Sequence, residues 1–242
     1  MRLEVIEGGA SSLAERTAVW LADRLWAAVA ERGAAHLAVS GGGTPATAFV
    51  ALAIQPVPWD QVHIWQVDER VAPDGDPDRN ATGLREHLLS RVPIEPEHVH
   101  LMDVTSDDLF DAARDYEQQL RDATGGVLDV VHLGLGDDGH TASWPPGDDV
   151  LGLTDRDVTI VGPFRDRVRM TLTVPAVNRG RHLMVLVAGE DKAPVVKKLF
   201  DGDTSIPASH LRRTGTTVLA DEPAGKLARQ AAAGGGSTST GG

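Results

Sequence analysis

Three short segments carry residues able to move protons or hold anions, and each directly follows an apolar run. GLGDDGHTAS (134–143) follows LDVVHL. Gly134, Gly136 and Gly139 permit a tight turn close to a ligand, and His140 is the side chain best suited to proton transfer near neutral pH. Asp138, two residues earlier, could orient the imidazole or hold a water, although that offset does not ensure contact; the plainer alternative is a satisfied histidine in a turn. SGGGTP (40–45) follows HLAVS. Consecutive Gly41, Gly42 and Gly43 let a backbone approach an anion, the N–H groups of a following helix point at it, and Ser40 and Thr44 add hydroxyls. The segment lacks the ending of a Walker loop and the spacing of a dinucleotide fingerprint. It suits a phosphate monoester, or else it is only a tight turn. DER (68–70) follows VHIWQV. Asp68 there could be a base, an acceptor for sugar hydroxyls or an orienting group; the alternative is a solvated ion pair. Arg169, in an alternating segment, and Lys192, at the start of a helical one, are candidate cations. Lysine at a helix start opposes the macrodipole, which a bound anion would offset.

All three segments need the same setting, a strand running into a turn and then a helix. The sequence repeats that unit. Apolar runs at 3–6, 36–40, 62–67, 98–102, 128–136, 157–161, 167–174, 182–189 and 216–220 read as strands. Helical spacing covers Leu13 to Val29 with a stop at Gly33, then Thr44–Leu52, Asn80–Arg91, Leu109–Ala123 and Ala193–Phe200. Such alternation predicts an α/β fold with a mainly parallel, Rossmann-like sheet flanked by helices. RVRMTLTVP alternates with period two, so that part admits an antiparallel edge hairpin. Open α/β sheets bind ligands beyond the carboxyl ends of their strands. If the three strands are parallel neighbours, all three segments face one cleft.

Composition sets the outer limits. The 242-residue chain is 41% hydrophobic, enough for a full core, and has a formal net charge of -12. That charge argues against unspecific binding to nucleic acid or anionic membrane. No cysteine is present, which removes disulfides, thiol catalysis and thiolate metal sites. No HExxH pattern occurs, and the other histidines show no ligand spacing around His140, so no metal is expected. No apolar window is long enough to span a membrane, and the N-terminus lacks a signal-peptide pattern, so a cytoplasmic protein is the default expectation. A single catalytic domain over 1–230 is expected, with a flexible Gly/Ser/Thr tail over 231–242.

SGGGTP, DER, Asn80, GLGDDGHTAS with PPG at 145–147, RVRMTLTVP and AGEDK, in this order, resemble the 6-phosphogluconolactonase family. The resemblance spans residues 1 to about 230. The wider group includes glucosamine-6-phosphate deaminase, with the same fold, glycine turn and a similar DGH segment. The resemblance implies hydrolysis of 6-phosphoglucono-δ-lactone, a sugar-phosphate lactone of the oxidative pentose phosphate pathway, with neither cofactor nor metal. It implies that the SGGGT turn (Ser40 to Thr44), Arg169 and Lys192 hold the phosphate. His140 would be the general base with Asp138 beside it. Asp68 and Arg70 would lie in the lactone pocket, and Asn80 would match a position in the loop after DER. Two departures stand out: Trp144-Pro145 before Pro146-Gly147, where the family often has Leu-Phe, and Arg79, where it often has Ser before the asparagine. These changes touch pocket wall and loop rather than the acid–base chemistry.

Two other functions remain open on the sequence. A deaminase would need further acid–base groups after the histidine, whereas Thr141, Ala142, Ser143 and Trp144 follow here. A non-catalytic sugar-phosphate sensor would bind without turnover and would normally carry a DNA-binding segment, which is not visible.

Overall fold

The computed structural model describes residues 1–234, with side chains described to residue 231. Strands β1 (Arg2–Ile6), β2 (Ala35–Val39), β3 (Val62–Gln66), β5 (Val99–His100), β6 (Val130–Gly134), β9 (His182–Val187) and β10 (Thr216–Asp221) form one sheet in the order β1-β10-β9-β6-β2-β3-β5. All of its pairings are parallel. The chain leaves β2 toward β3 and β5 on one side, then returns through β6 toward β9 and β10 on the other. The switch point of the topology therefore lies between β2 and β6. That is where an open α/β sheet leaves a crevice at its carboxyl edge.

Strand alternation gives the sheet two apolar faces. Leu37, Val39, Ile64, Val130, Met184 and Leu186 pack against α1 (Gly9–Arg32), α2 (Gly43–Ala53) and α3 (Asn80–His87). Val131, Leu133, Val185 and Val187 pack on the opposite side against α4 (Leu109–Thr124), α6 (Ala193–Asp201) and α7 (Glu222–Gly234). Helix α1 ends where Gly33 turns left-handed at φ 82° and donates its N–H to Val29 O, as the sequence leads one to expect.

The expected antiparallel hairpin is present, but not as an edge of the parallel sheet. β7 (Val158–Phe164) and β8 (Arg167–Leu172) pair with each other, and β8 pairs with β4 (Asp68–Arg70) in a separate three-stranded sheet. DER is thus itself a strand rather than a strand end. The segment expected to continue as strand through 174 stops at Leu172 instead, because Pro175 opens helix α5 (Val174–Arg179). Asn80–Arg91 divides into α3 and a single 3₁₀ turn, Leu89–Arg91. Helix α7 lies outside the sequence expectation; its start is capped by Asp221 Oδ1, which accepts from Ala224 N at 2.9 Å. It continues through 231–234, where the tail was expected to begin, and 235–242 lie outside the described residues. No helix of the described residues is long and apolar enough to cross a membrane.

Candidate active site

At the switch point the loops after β2 and β6 meet in a cleft of about 370 Å³. Ser40, Gly41, Gly42, Gly43 and Thr44 line it, together with Asp68, Arg70, Asn80, His140, Arg169 and Lys192. All of these were expected from the sequence. Asp138 stands behind His140.

The glycine turn opens α2. Gly42 has φ 123°, and the helix start carries neither a side-chain cap nor an acidic residue in its first turn. Its leading N–H groups therefore face the cleft with positive partial charge. Gly41 is required sterically: a Cβ there would sit 2.1 Å from Asn80 Oδ1. Ser40 Oγ, Asn80 Oδ1 and Thr141 Oγ1 are buried polar atoms without a protein partner, and their residues all line the same cleft. Buried polar groups are normally paired; the two hydroxyls can donate or accept and the amide oxygen can accept, which suits a hydroxylated ligand.

The histidine turn is closed by two backbone bonds, Gly136 N to His140 O at 2.8 Å and Gly139 N to Gly136 O at 3.1 Å. Asp138 Oδ1 takes both the His140 backbone N–H (3.1 Å) and ring Nδ1 (2.5 Å). Bonded this way, the ring carries its proton on Nδ1 and presents the Nε2 lone pair. Burial pushes the His140 pKa below its usual value, against the pull of Asp138. The imidazole is therefore neutral at pH 7 and able to accept a proton. Burial alone would raise the Asp138 pKa, but the hydrogen bonds from His140 outweigh it and hold the carboxyl below its usual range.

Asp68 does not touch the imidazole. Its carboxylate accepts from Ser143 Oγ at 2.6 Å and from Asn80 Nδ2 at 3.3 Å, and lies 3.9 Å from Arg169. Burial drives its pKa upward against these partners. To present Ser143, the chain passes through Ala142 at φ 51°, a conformation costing a non-glycine residue roughly 1 kcal/mol or more. Arg70 and Arg169 are direct partners across β4 and β8, so two guanidinium groups share one face of the small sheet. Burial, and after it the charge of Arg70, lowers the Arg169 pKa. Lys192 reaches the cleft from the turn after β9.

Two contributors were missed by sequence reasoning. Glu69, between Asp68 and Arg70, points away from the cleft and is fully buried. Its carboxylate accepts from Asn80 N (2.7 Å), Ala81 N (2.8 Å), Arg70 N (2.8 Å) and Gln66 Nε2 (2.9 Å), and pairs with Arg79. It thereby caps α3 and fixes Asn80. The period-two alternation of a strand was the available signal, had DER been read as one. Arg165, at the turn between β7 and β8, also lines the cleft, and no sequence pattern marks it.

Residues 9–219 match the family described as glucosamine-6-phosphate isomerases/6-phosphogluconolactonase. A 6-phosphogluconolactonase of Synechocystis sp. is 36% identical over 227 residues, covering 90% of this chain and 94% of that protein. The crystal structure of 6-phosphogluconolactonase from Thermotoga maritima superposes with a TM-score of 0.82 at 28% identity, over 91% of this chain and 98% of that one. A monomeric glucosamine-6-phosphate deaminase superposes with a TM-score of 0.80 at 22% identity, covering 94% of this chain and all of that one, a likeness of fold alone.

Proposed function

Because the chain belongs to the glucosamine-6-phosphate isomerase/6-phosphogluconolactonase family, we propose that it hydrolyses 6-phosphoglucono-δ-lactone to 6-phosphogluconate through His140-assisted attack of water on C1. The enzyme is a lactone hydrolase of the oxidative pentose phosphate pathway. The observation that carries the mechanism is the meeting, in one cleft, of a neutral imidazole with an unprotonated Nε2 and a glycine turn flanked by Arg169 and Lys192.

The phosphate sits against the N–H groups that open α2, between Arg169 and Lys192. The sugar hydroxyls reach Asp68, Asn80 and the unpartnered hydroxyls of Ser40 and Thr141. Anchored at the phosphate, the lactone presents C1 to His140. His140 Nε2 takes a proton from a water as its oxygen bonds to C1, and the carbonyl electrons move onto oxygen. Asp138 stabilises the imidazolium that forms. When the carbonyl re-forms, the bond from C1 to the ring oxygen breaks, and the imidazolium returns its proton to that oxygen. Such a base contributes about 10²–10⁴-fold. Arg70 or backbone N–H groups of the turns hold the oxyanion, each donor worth roughly 3 kcal/mol.

The test is proton release from freshly made lactone, corrected for uncatalysed hydrolysis. His140→Ala should lower kcat by at least 10²-fold with little change in KM. Arg169→Ala should mainly raise KM. Unchanged turnover in the histidine variant removes the mechanism. Ammonia release from glucosamine 6-phosphate would favour the deaminase reading, and binding without turnover a sensor.

A further inference from the structure

We propose that Arg165 is a positioning residue for the reacting pair: anchored on Asp137, it reaches from the β7–β8 turn to the outer oxygen of the adjacent Asp138 carboxylate, whose other oxygen steadies the His140 imidazole. The inference rests on the reading of His140 as general base.

The turn itself is the first observation. Phe164 pairs with Arg167, so Arg165 and Asp166 form a two-residue hairpin loop, with φ of 50° and 65°. A loop with both residues left-handed favours Asn-Gly, Asp-Gly or Gly-Gly. An arginine at the first position gives up local stability, and little burial offsets it, since Arg165 is exposed and its guanidinium stands 5.6 Å from the centre of the Phe164 ring. What the side chain does make is directed contact. Its Nη2 lies 2.5 Å from Asp137 Oδ1 and 3.5 Å from Asp138 Oδ2. Asp138 therefore has one oxygen toward Arg165 and the other on His140 Nδ1 and N. Arg165, Asp138 and His140 form one chain that joins the small antiparallel sheet to the loop after β6.

The same turn contributes a second contact. The Phe164 ring stands edge-on to the His140 ring, centroids 5.1 Å apart, and the Arg169 guanidinium lies 5.2 Å from its centre. The hairpin tip thus restrains the imidazole on two sides, through a carboxylate and through a ring. Precise placement of a base matters, because a displacement of about 1 Å can cost 10²-fold in rate.

The charges around His140 fix the expected pH behaviour. Asp138 and, more distantly, Asp68 favour the imidazolium, while Arg165 disfavours it. Arg70, Arg169 and Lys192 line the same cleft and stay in place when Arg165 is removed. Loss of Arg165 therefore raises the pKa of His140 and moves the acidic limb of the rate profile to higher pH.

The experiment measures lactone hydrolysis against pH for the parent, Arg165→Gly, Arg165→Lys and Arg156→Ala. Glycine is well suited to the left-handed position, so Arg165→Gly should melt no lower than the parent. Its kcat should nevertheless fall about tenfold with KM within about twofold, and its acidic limb should move upward. Arg165→Lys should recover part of the rate and return the limb. Arg156→Ala removes an arginine from an exposed pair with Asp155 and should match the parent. If Arg165→Gly keeps the parent kcat and limb, or raises KM alone, the positioning role is wrong. If the parent or His140→Ala fails its own test above, the failure lies in the mechanism and not in this inference.

Discussion

The Nδ1 atom of His140 lies 2.5 Å from Asp138 Oδ1, and among the described residues Nε2 has no hydrogen-bond partner. The sequence left two aspartates as companions for this histidine; the geometry assigns Asp138, while Asp68 is engaged by Ser143 and Asn80. Asp138→Asn should lower kcat about 10- to 100-fold by loosening the tautomer and the imidazolium, with KM nearly unchanged. With His140 as the proposed neutral base, its pKa lowered by burial, the parent should keep its rate below pH 6.5 and lose it only as the pH falls through that lowered value. A kcat–pH profile of both proteins checks this.

Gly136 is fixed by the imidazole rather than by its own backbone. A Cβ there would lie 2.0 Å from His140 Nδ1 and 2.7 Å from Asp138 Oδ1. Gly136→Ala should fold, with a melting temperature within a few degrees of the parent, yet lose turnover almost as completely as His140→Ala. Parent-like kinetics in Gly136→Ala would mean that the ring does not occupy that space.

His132, on β6 one strand from the glycine turn, is wholly buried against Phe49, and neither ring nitrogen has a partner. Burial lowers its pKa from 6.5 to about 4. The unfolded chain therefore binds the extra proton first, and stability drops as pH falls from about 6.5 to 4. For this one residue the loss is about 3 kcal/mol, at ~1.4 kcal/mol per pKa unit. Half-buried His63 and His100, also lowered to about 4, add to it in the same direction. Urea unfolding of His132→Leu should show higher stability at pH 5 and a flatter pH dependence. An unchanged slope would refute the assignment.

Glu69 gathers its donors in the dry interior. Glu69→Gln keeps the size but loses acceptor capacity and leaves Arg79 without its buried partner. Breaking one side of such a pair costs about 3–5 kcal/mol. Thermal unfolding should reveal the loss. Because Asn80 is carried by the helix that Glu69 caps, the surviving folded protein should also bind substrate more weakly.

Legibility followed local physics. Strands rich in Val, Leu and Ile, the Gly33 stop and the glycine turns announce themselves because one segment's own pattern decides them. Whether β2 and β6 were neighbours was not local, and the whole cleft depended on it. Nor could spacing show that DER turns into a second sheet, since that requires β8, a hundred residues later. Arg165 was invisible for the same reason: its role lies in a partner from another element. Helix α7 was missed even though Asp221-Glu222-Pro223 is a readable start, its attraction being overshadowed by the glycine-rich end that follows.

Arg70 and Arg169 face each other across β4 and β8. Like charges so placed repel, and that repulsion is relieved when something doubly negative settles beside them. Asp68, 3.9 Å from Arg169, offsets part of that repulsion, and a small tetrahedral dianion in the proposed phosphate site between Arg169 and Lys192 would offset more. Phosphate or sulfate in a purification buffer would then raise the melting temperature by mass action and, by the same occupancy, compete with the lactone. A preparation made for longevity on the shelf would look sluggish in the cuvette until it was dialysed.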